Sequence, residues 1–321
     1  MTGRLLALLR SRWVRYAFVV VALGAAVYAV QREWDDIVPA LQQMPVGLVL
    51  ASFGVGVVYL LLTMMSWRAV LADLGSRLPG PAAFGVFFVS QLGKYVPGGV
   101  WNVVAASELG ADHRIPRRRS LSAMLVTVFV SVVSGLAVGV PTLALTAGGL
   151  QGAYRWLWVL LPVTLALLAP PVMNRVLTRV MRLARRVPLE HPLTTAGTLQ
   201  AVGWAVAAWL VAGFQVWLLA LGTGVEASPA SWARVAGAYA IAWVVGFLVL
   251  VVPAGLGARE VVLLALLAPL VPNDGAVLVL VLVSRIVQTV ADLALAGAGL
   301  AVARRATRRA AGAAPEDRAA S

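Results

Sequence analysis

The sequence predicts an all-α polytopic membrane protein, and three observations support this fold class. Hydrophobic residues make up 61% of the 321 residues and charged residues only 12%, whereas soluble domains carry about 25% charged residues. Apolar runs of about 20 residues, the length that crosses a bilayer as a helix, recur along the chain. Basic residues are clustered between these runs. We therefore expect a single membrane domain over residues 1–303, followed by a disordered basic tail over 304–321.

The net charge of +13 is explained better by membrane topology than by nucleic-acid binding. The arginines form five clusters, within residues 4–15, 68–77, 114–119, 175–186 and 304–318. All five can be placed on one side of the membrane, which the positive-inside rule assigns to the cytoplasm. The pattern predicts a multi-pass protein of the cytoplasmic (inner) membrane with both termini in the cytoplasm, and no nucleic-acid partner.

With these clusters fixed on one side, the apolar runs predict six crossings. The first follows a basic segment and has no clear small-x-small cleavage site after it, so we interpret it as an uncleaved helix. The predicted crossings are 16–30, 46–66, 121–145, 156–172, 199–221 and 276–302.

Two apolar segments remain, and a proline-glycine turn interrupts each of them. Residues 82–107 have basic clusters on both flanks and contain the turn 96–100, which predicts a re-entrant hairpin entering from the cytoplasm. Residues 232–271 contain the turn 252–256, and their neighbours predict the opposite hairpin. An alternative is that 232–252 spans alone, which gives eight crossings.

The order helix, hairpin, helix therefore occurs twice with inverted orientation, as half-repeats over about 46–145 and 199–302. Inverted repeats with interrupted helices that meet at the bilayer midplane are typical of many secondary transporters. This arrangement predicts a protein cavity at the two turns, because broken backbone in lipid needs protein or water around it.

The residues at the two turns predict an anion site. A half-helix begins after each turn, with free N–H groups and a positive dipole end in the membrane interior, and Lys94 and Arg259 add formal charge beside the turns. Arg285 and Asp292 lie seven residues apart on one face of the last helix. We expect Glu260 and Asp292 to compensate Arg259 and Arg285, which leaves Lys94 and the dipoles to attract an anion. Alternatively, these charges only lock the second hairpin to the last helix.

Enzyme chemistry has little support in the sequence. There is no cysteine, and we find no HExxH, P-loop or nucleophile-histidine arrangement. We therefore predict no catalytic residues, no metal and no cofactor.

The motif Gly93-Lys94-Tyr95-Val96-Pro97-Gly98-Gly99-Val100-Trp101, the motif Pro253 to Glu260, and Arg285 followed by Asp292 together resemble the transmembrane, flippase-like region of lysylphosphatidylglycerol synthases. The similarity covers about residues 10 to 303. The resemblance implies movement of anionic or modified lipids, or of polyprenyl-linked sugars, between leaflets. The aminoacyl-transferase domain of the full synthases is not found in this sequence, so lipid aminoacylation is not implied.

These observations predict a translocase for an anionic or phosphate-bearing lipid, with membrane lipid as its partner. A non-transporting scaffold for envelope assembly and an intramembrane lipid-modifying enzyme are the alternatives, and a homo-oligomer or envelope-synthesis proteins are further partner hypotheses. The candidate substrate-binding residues are Lys94, Tyr95, Pro97, Gly98, Gly99, Trp101, Pro253, Gly255, Gly257, Arg259, Glu260, Arg285 and Asp292.

Overall fold

A computed structural model describes residues 44–95, 101–146, 158–183, 192–249 and 257–312, and the isolated positions 31, 38, 39 and 42. The described residues form α-helices joined by short turns, without a strand, which confirms the predicted all-α polytopic class. The predicted crossing 16–30 and the centres of both proline-glycine turns lie outside the described residues.

The helices vary in length because the apolar runs of the sequence do. They are α1 (Val46–Asp73), α2 (Gly80–Gln91), α3 (Trp101–Ala111), α4 (Arg117–Thr146), α5 (Leu160–Leu168), α6 (Pro170–Leu183), α7 (Thr195–Leu221), α8 (Pro229–Leu248), α9 (Ala258–Leu267) and α10 (Asp274–Gly312). Five of them, α1, α4, α7, α8 and α10, are long and apolar enough to cross a membrane. Helix α10 continues beyond Arg304, where we expected the tail to begin.

The predicted crossing over 156–172 is sharply bent within its described residues, 158–172. Helices α5 and α6 meet at 89°, because Ala169 is extended before Pro170 and a residue before proline is disfavoured in the α conformation. Helix α6 is amphipathic, with Met173 and Leu177 buried and its arginines exposed at Arg175, Arg179 and Arg182. This pattern is typical of a helix that lies in the membrane interface rather than across it.

Helices α1 and α7 form the central antiparallel pair of the bundle. The Ser52 hydroxyl donates to the Gln215 carbonyl at 3.1 Å, and the Ser66 hydroxyl donates to the Ala201 carbonyl at 2.9 Å. The hydroxyl groups of α1 thus donate hydrogen bonds to the backbone of α7, a contact that is common between helices in membranes. These two helices begin the two predicted half-repeats.

Each half-repeat packs part of its broken segment on the last helix of the other half. Helix α2 packs on α10, where a Cβ added at Gly299 would lie 3.5 Å from the Gly85 Cα. Helix α8 packs on α4, where a Cβ added at Gly237 would lie 3.1 Å from the Leu143 backbone nitrogen. Small residues allow both close approaches. The two half-repeats thus exchange their broken segments, and their relation as inverted repeats stays a prediction.

The two broken segments differ in length. In hairpin 1, formed by α2, the 3-10 turn Leu92–Tyr95 and α3, the arms have 12 and 11 residues, or about 17 Å each. In hairpin 2, formed by α8 and α9, the arms have 20 and 10 residues, or about 30 and 15 Å. Helix α8 therefore has the length of a crossing, as the eight-crossing alternative requires, whereas α9 is too short to be one.

The described arginine clusters lie on the same face of the bundle. Arg119 at the start of α4 donates to the Gly75 carbonyl just after α1, at 3.1 Å. The Asn174 amide of α6 donates to the Leu193 carbonyl just before α7, at 2.9 Å. Ala303 of α10 lies beside α2 and directly precedes the last cluster. This is the one-sided distribution that the sequence predicts.

Candidate functional site

Both hairpins reach α10 near its midpoint. At 1.5 Å per residue, Arg285 lies about 17 Å along the helix from Asp274, and Asp292 lies about 18 Å from Arg304. Arg285 and Asp292 are two turns apart on one helical face. Ionisable groups at such depth are costly unless they face a partner or water, and hairpins 1 and 2 provide those partners.

Hairpin 1 is held to α10 through Asp292. The Lys94 ammonium lies 2.7 Å from Asp292 Oδ2, and the Tyr95 hydroxyl donates to the same oxygen at 2.7 Å. The Asp292 side chain is only 1% exposed, whereas that of Lys94 is 28% exposed. The expectation that Asp292 compensates Arg285 and leaves Lys94 free is therefore wrong. The 3-10 turn directs both hairpin side chains at one carboxylate.

Hairpin 2 is held to α10 through Glu260. Glu260 Oε1 lies 3.4 Å from Arg285 Nη1, and Glu260 Oε2 accepts the Gly257 N–H at 2.7 Å. Gly257 has a φ of 85°, in the left-handed region that glycine adopts readily, and this conformation places its N–H within reach of Glu260. The expectation of a free helix N-terminus at Ala258 is thus corrected, because a carboxylate of the chain itself occupies part of it.

Arg259 takes the position we expected Lys94 to have. It is buried, with its guanidinium 4.7 Å from the centre of the Tyr239 ring. A Cβ added at Gly246 would lie 2.7 Å from the Arg259 Cβ, so a glycine in α8 makes room for this arginine. Among the described residues, no carboxylate forms an ion pair with Arg259. Arg259 is thus the cation supported by an aromatic ring rather than by an acid.

These groups surround a cavity of about 200 Å³. Five of the candidate residues line it, namely Lys94, Tyr95, Arg259, Arg285 and Asp292. The uncharged polar part of its wall comes from α1, α2, α3, α4 and α10, as Thr63, Gln91, Asn102, Thr127, Ser131, Gln288 and Thr289. The wall thus combines cations with hydrogen-bonding groups at mid-depth in the bundle.

The remaining candidate residues lie elsewhere or beyond the described ranges. Gly257 and Glu260 are next to the cavity wall, and Trp101 is 48% exposed and does not line it. Pro97, Gly98, Gly99, Pro253 and Gly255 lie outside the described residues. Whether any of the set binds substrate stays a prediction.

Two tyrosines of the wall are not among the residues that the sequence predicts for the site. Tyr59 of α1 and Tyr239 of α8 are both buried and both line the cavity. Each is a polar group within an apolar helix, which is the one signal that could have selected them. No motif of the sequence includes either of them.

Comparison with known proteins identifies the family of the chain. No curated protein is significantly similar to the chain. A family model described as the lysylphosphatidylglycerol synthase TM region matches residues 12–296, nearly the whole membrane domain. The chain belongs to the lysylphosphatidylglycerol synthase transmembrane-region family.

Proposed function

We propose that this protein moves an anionic, phosphate-bearing lipid across the cytoplasmic membrane, with the headgroup passing through the cavity and the acyl or prenyl chains remaining in lipid. Family membership indicates a membrane protein that handles lipids. The observation that supports the finer proposal is a mid-depth cavity where cations outnumber acids. Among the described residues, the cavity wall contains the cations Lys94, Arg259 and Arg285 and one acid, Asp292, and Glu260 is paired with Arg285 next to the wall.

The excess positive charge has a form that suits phosphate. A guanidinium offers several N–H donors in one plane and binds phosphate oxygens bidentately. Arg259 is buried over an aromatic ring, where a charge interacts more strongly than in water. A phosphate entering the cavity would provide the counter-charge that the described residues do not.

The cavity volume argues for a headgroup rather than a whole lipid. Pockets for drug-sized ligands measure about 300–1,000 Å³, and this cavity measures about 200 Å³. A phosphate with a small substituent fits such a space, while hydrocarbon chains do not. The chains would therefore follow the headgroup through the bilayer outside the protein.

One observation favours the scaffold alternative. Both acids are already paired, Asp292 with Lys94 and Glu260 with Arg285, so the charges can be understood as locks between the hairpins and α10. The two functions differ in what happens when a lock is removed without leaving a buried charge. A structural lock is then dispensable, whereas a headgroup site is not.

Reconstituted vesicles test this difference. We expect purified protein to speed the crossing of a labelled phosphatidic acid compared with protein-free vesicles. The double variant Lys94→Met/Asp292→Asn should fold, because neither charge is left alone, yet it should transport about tenfold more slowly, since one charge-assisted hydrogen bond contributes about 1.5–3 kcal/mol. Arg259→Gln should show a similar loss.

Arg117→Gln is the matched control, because Arg117 is exposed and lies outside the cavity. It should transport at the wild-type rate. If wild-type protein moves no lipid in a panel of anionic phospholipids and polyprenyl phosphates, the translocase proposal fails. Full transport by the double variant would instead support the scaffold interpretation of that pair.

A further inference from the structure

Two buried oxygens in the wall of the cavity have no hydrogen-bond partner among the described residues. They are Asp292 Oδ1 and Gln288 Oε1. Asp292 is 2% exposed and Gln288 is 7% exposed. An unsatisfied buried acceptor costs about 1–3 kcal/mol, and most such groups in native structures are explained by a partner or a function. These two lie in the wall of one cavity.

One added proton would give both oxygens a partner. Gln288 and Asp292 are four residues apart on α10, so their side chains are neighbours on one face. A carboxylate and an amide oxygen both accept, whereas a protonated carboxyl group donates one O–H. A proton on Asp292 Oδ1 would therefore donate to Gln288 Oε1 and provide both oxygens with a partner.

We propose that Asp292 and Gln288 form a proton-binding site whose occupancy is linked to the binding of an anionic headgroup in the cavity. The linkage rests on the proposed translocase function, whereas the proton site does not. The proton comes from water and forms one O–H bond at Oδ1. Lys94 keeps its three N–H protons and turns from Asp292 to the anion.

The charges around Asp292 explain the linkage. While Lys94 and Tyr95 donate to Oδ2, the ionised carboxylate is stabilised. A headgroup phosphate competes for Lys94, and Asp292 then loses its counter-charge and binds a proton instead. Proton and anion thus favour each other's binding, and the coupling is reciprocal.

Other groups near this part of α10 are already committed. Both Glu260 oxygens have donors, Gly257 and Arg285, so neither of them is left without a partner. The remaining titratable groups in the wall are Tyr59 of α1, Tyr239 of α8 and Arg259 of α9, and α4 contributes only Thr127 and Ser131 as polar groups.

One other arrangement also satisfies the two side chains. If the Gln288 amide is rotated, its N–H donates to an ionised Asp292, because the two ends of an amide are exchangeable. The arrangements differ in a single measurable property, the protonation of Asp292 at mildly acid pH.

Infrared spectroscopy of the purified protein in nanodiscs of zwitterionic lipid measures this property directly. As the pH is lowered with short-chain phosphatidic acid present, we expect a protonated-carboxyl C=O band that is lost in Asp292→Asn and retained in Glu108→Gln. The absence of an Asp292-dependent band over the stable pH range overturns the proton site and supports the rotated amide.

Phosphatidic acid affinity measures the linkage. For wild type it should rise as the pH falls, by up to about tenfold per pH unit, the limit for one linked proton. Because phosphatidic acid itself titrates, the proton linked to the protein is measured with a short-chain lipid sulfate, a non-titrating anion whose affinity should also rise as the pH falls. Asp292→Asn should give a constant sulfate affinity. Equal slopes in wild type and Asp292→Asn overturn the linkage.

Gln288→Leu gives a second test should Asp292→Asn fail to fold. Without its acceptor, the proton should bind only at lower pH, so the affinity profile should shift to lower pH with its slope unchanged. An unshifted profile counts against the site. If the Asp292-dependent band appears in a protein that moves no lipid, the proton-site proposal stands and the translocase proposal fails.

Discussion

Hairpins 1 and 2 reach the same helix by different structural means. In hairpin 1, a short 3-10 turn brings Lys94 and Tyr95 to Asp292, and the lysine is 28% exposed. In hairpin 2, α8 is long enough to cross the membrane, Arg259 is buried under its own hairpin's Tyr239, and Glu260 both pairs with α10 and caps α9.

The difference suggests a division of roles between the hairpins. The contact of hairpin 1 depends on one carboxylate that a phosphate can replace as the partner of Lys94. The contact of hairpin 2 is combined with a helix cap and an aromatic contact within the same hairpin, so releasing it costs several interactions at once. We expect hairpin 1 to move during transport and hairpin 2 to remain fixed.

The largest expected effect is the side of the membrane from which each hairpin end can be labelled, and it is all-or-none. The native chain has no cysteine, so single cysteines report position directly. At Ala82 and Ala111, at the two ends of hairpin 1, they should label only from the cytoplasm, and at Ser228 and Asn273, at the ends of hairpin 2, only from outside. Labelling of Ala111 from outside would contradict the re-entrant geometry of hairpin 1.

The next largest expected effect is on the free energy of unfolding, and double-mutant cycles compare the two ion pairs by it. Lys94→Met should lower the free energy of unfolding by about 3–5 kcal/mol, because it removes the counter-charge of the buried Asp292 carboxylate. Glu260→Met should lower it by a similar amount, because it removes both the carboxylate paired with Arg285 and the acceptor of the Gly257 N–H. Adding Asp292→Asn to the first should restore most of the loss. Adding Arg285→Gln to the second should restore only part, since the Gly257 cap, about 0.5–2 kcal/mol, stays broken.

Thermal unfolding in detergent measures both cycles. Strictly additive losses in either cycle would show that the pair does not interact directly. Equal recovery in the two cycles would remove the distinction between the hairpins.

Glycine substitutions test the close approach of the arms within each hairpin. A Cβ at Gly93 would meet the backbone of Trp101 and Asn102, and a Cβ at Gly246 would lie 2.7 Å from the Arg259 Cβ. Gly93→Ala and Gly246→Ala should each cost about 1–3 kcal/mol of stability. The loss should be greater for Gly93→Ala, because the added Cβ meets backbone atoms, which cannot rotate away as a side chain can. Gly54→Ala is the control, since no atom lies within 4 Å of its added Cβ.

Measured by the same unfolding assay, Gly54→Ala should match the wild type. A neutral result for Gly93→Ala would mean that the arms of hairpin 1 do not pack as described.

The smallest effect concerns the aromatic support of Arg259. Tyr239→Phe keeps the ring beneath the guanidinium and should change stability little, whereas Tyr239→Leu should cost about 0.5–2 kcal/mol more through the lost cation–π contact. Comparing the two variants separates the ring from the hydroxyl. Equal losses in both would assign the stabilisation to the hydroxyl group and not to the ring.

Much of the fold could be predicted because each signal is local to its segment. Crossing-length apolar runs, arginine clusters and proline-glycine breaks indicated α1, α4, α7, α10 and hairpin 1, since a helix in lipid must satisfy its backbone within its own segment. The bend within 156–172 has a local cause, because Ala169 is extended before Pro170 and α5 and α6 meet at 89°. The hydrophobicity of the run does not contain that angle.

The sequence by itself determined which residues are charged within the membrane and that they occur at two breaks and one helix. Only the tertiary structure decided how they pair. Lys94 and Asp292 are far apart in the chain, and Tyr239 and Arg259 lie in the two arms of hairpin 2. Both contacts depend on helix rotation and on glycines that set how closely helices approach. Pairing is a property of distances between segments, and no pattern within one segment contains those distances.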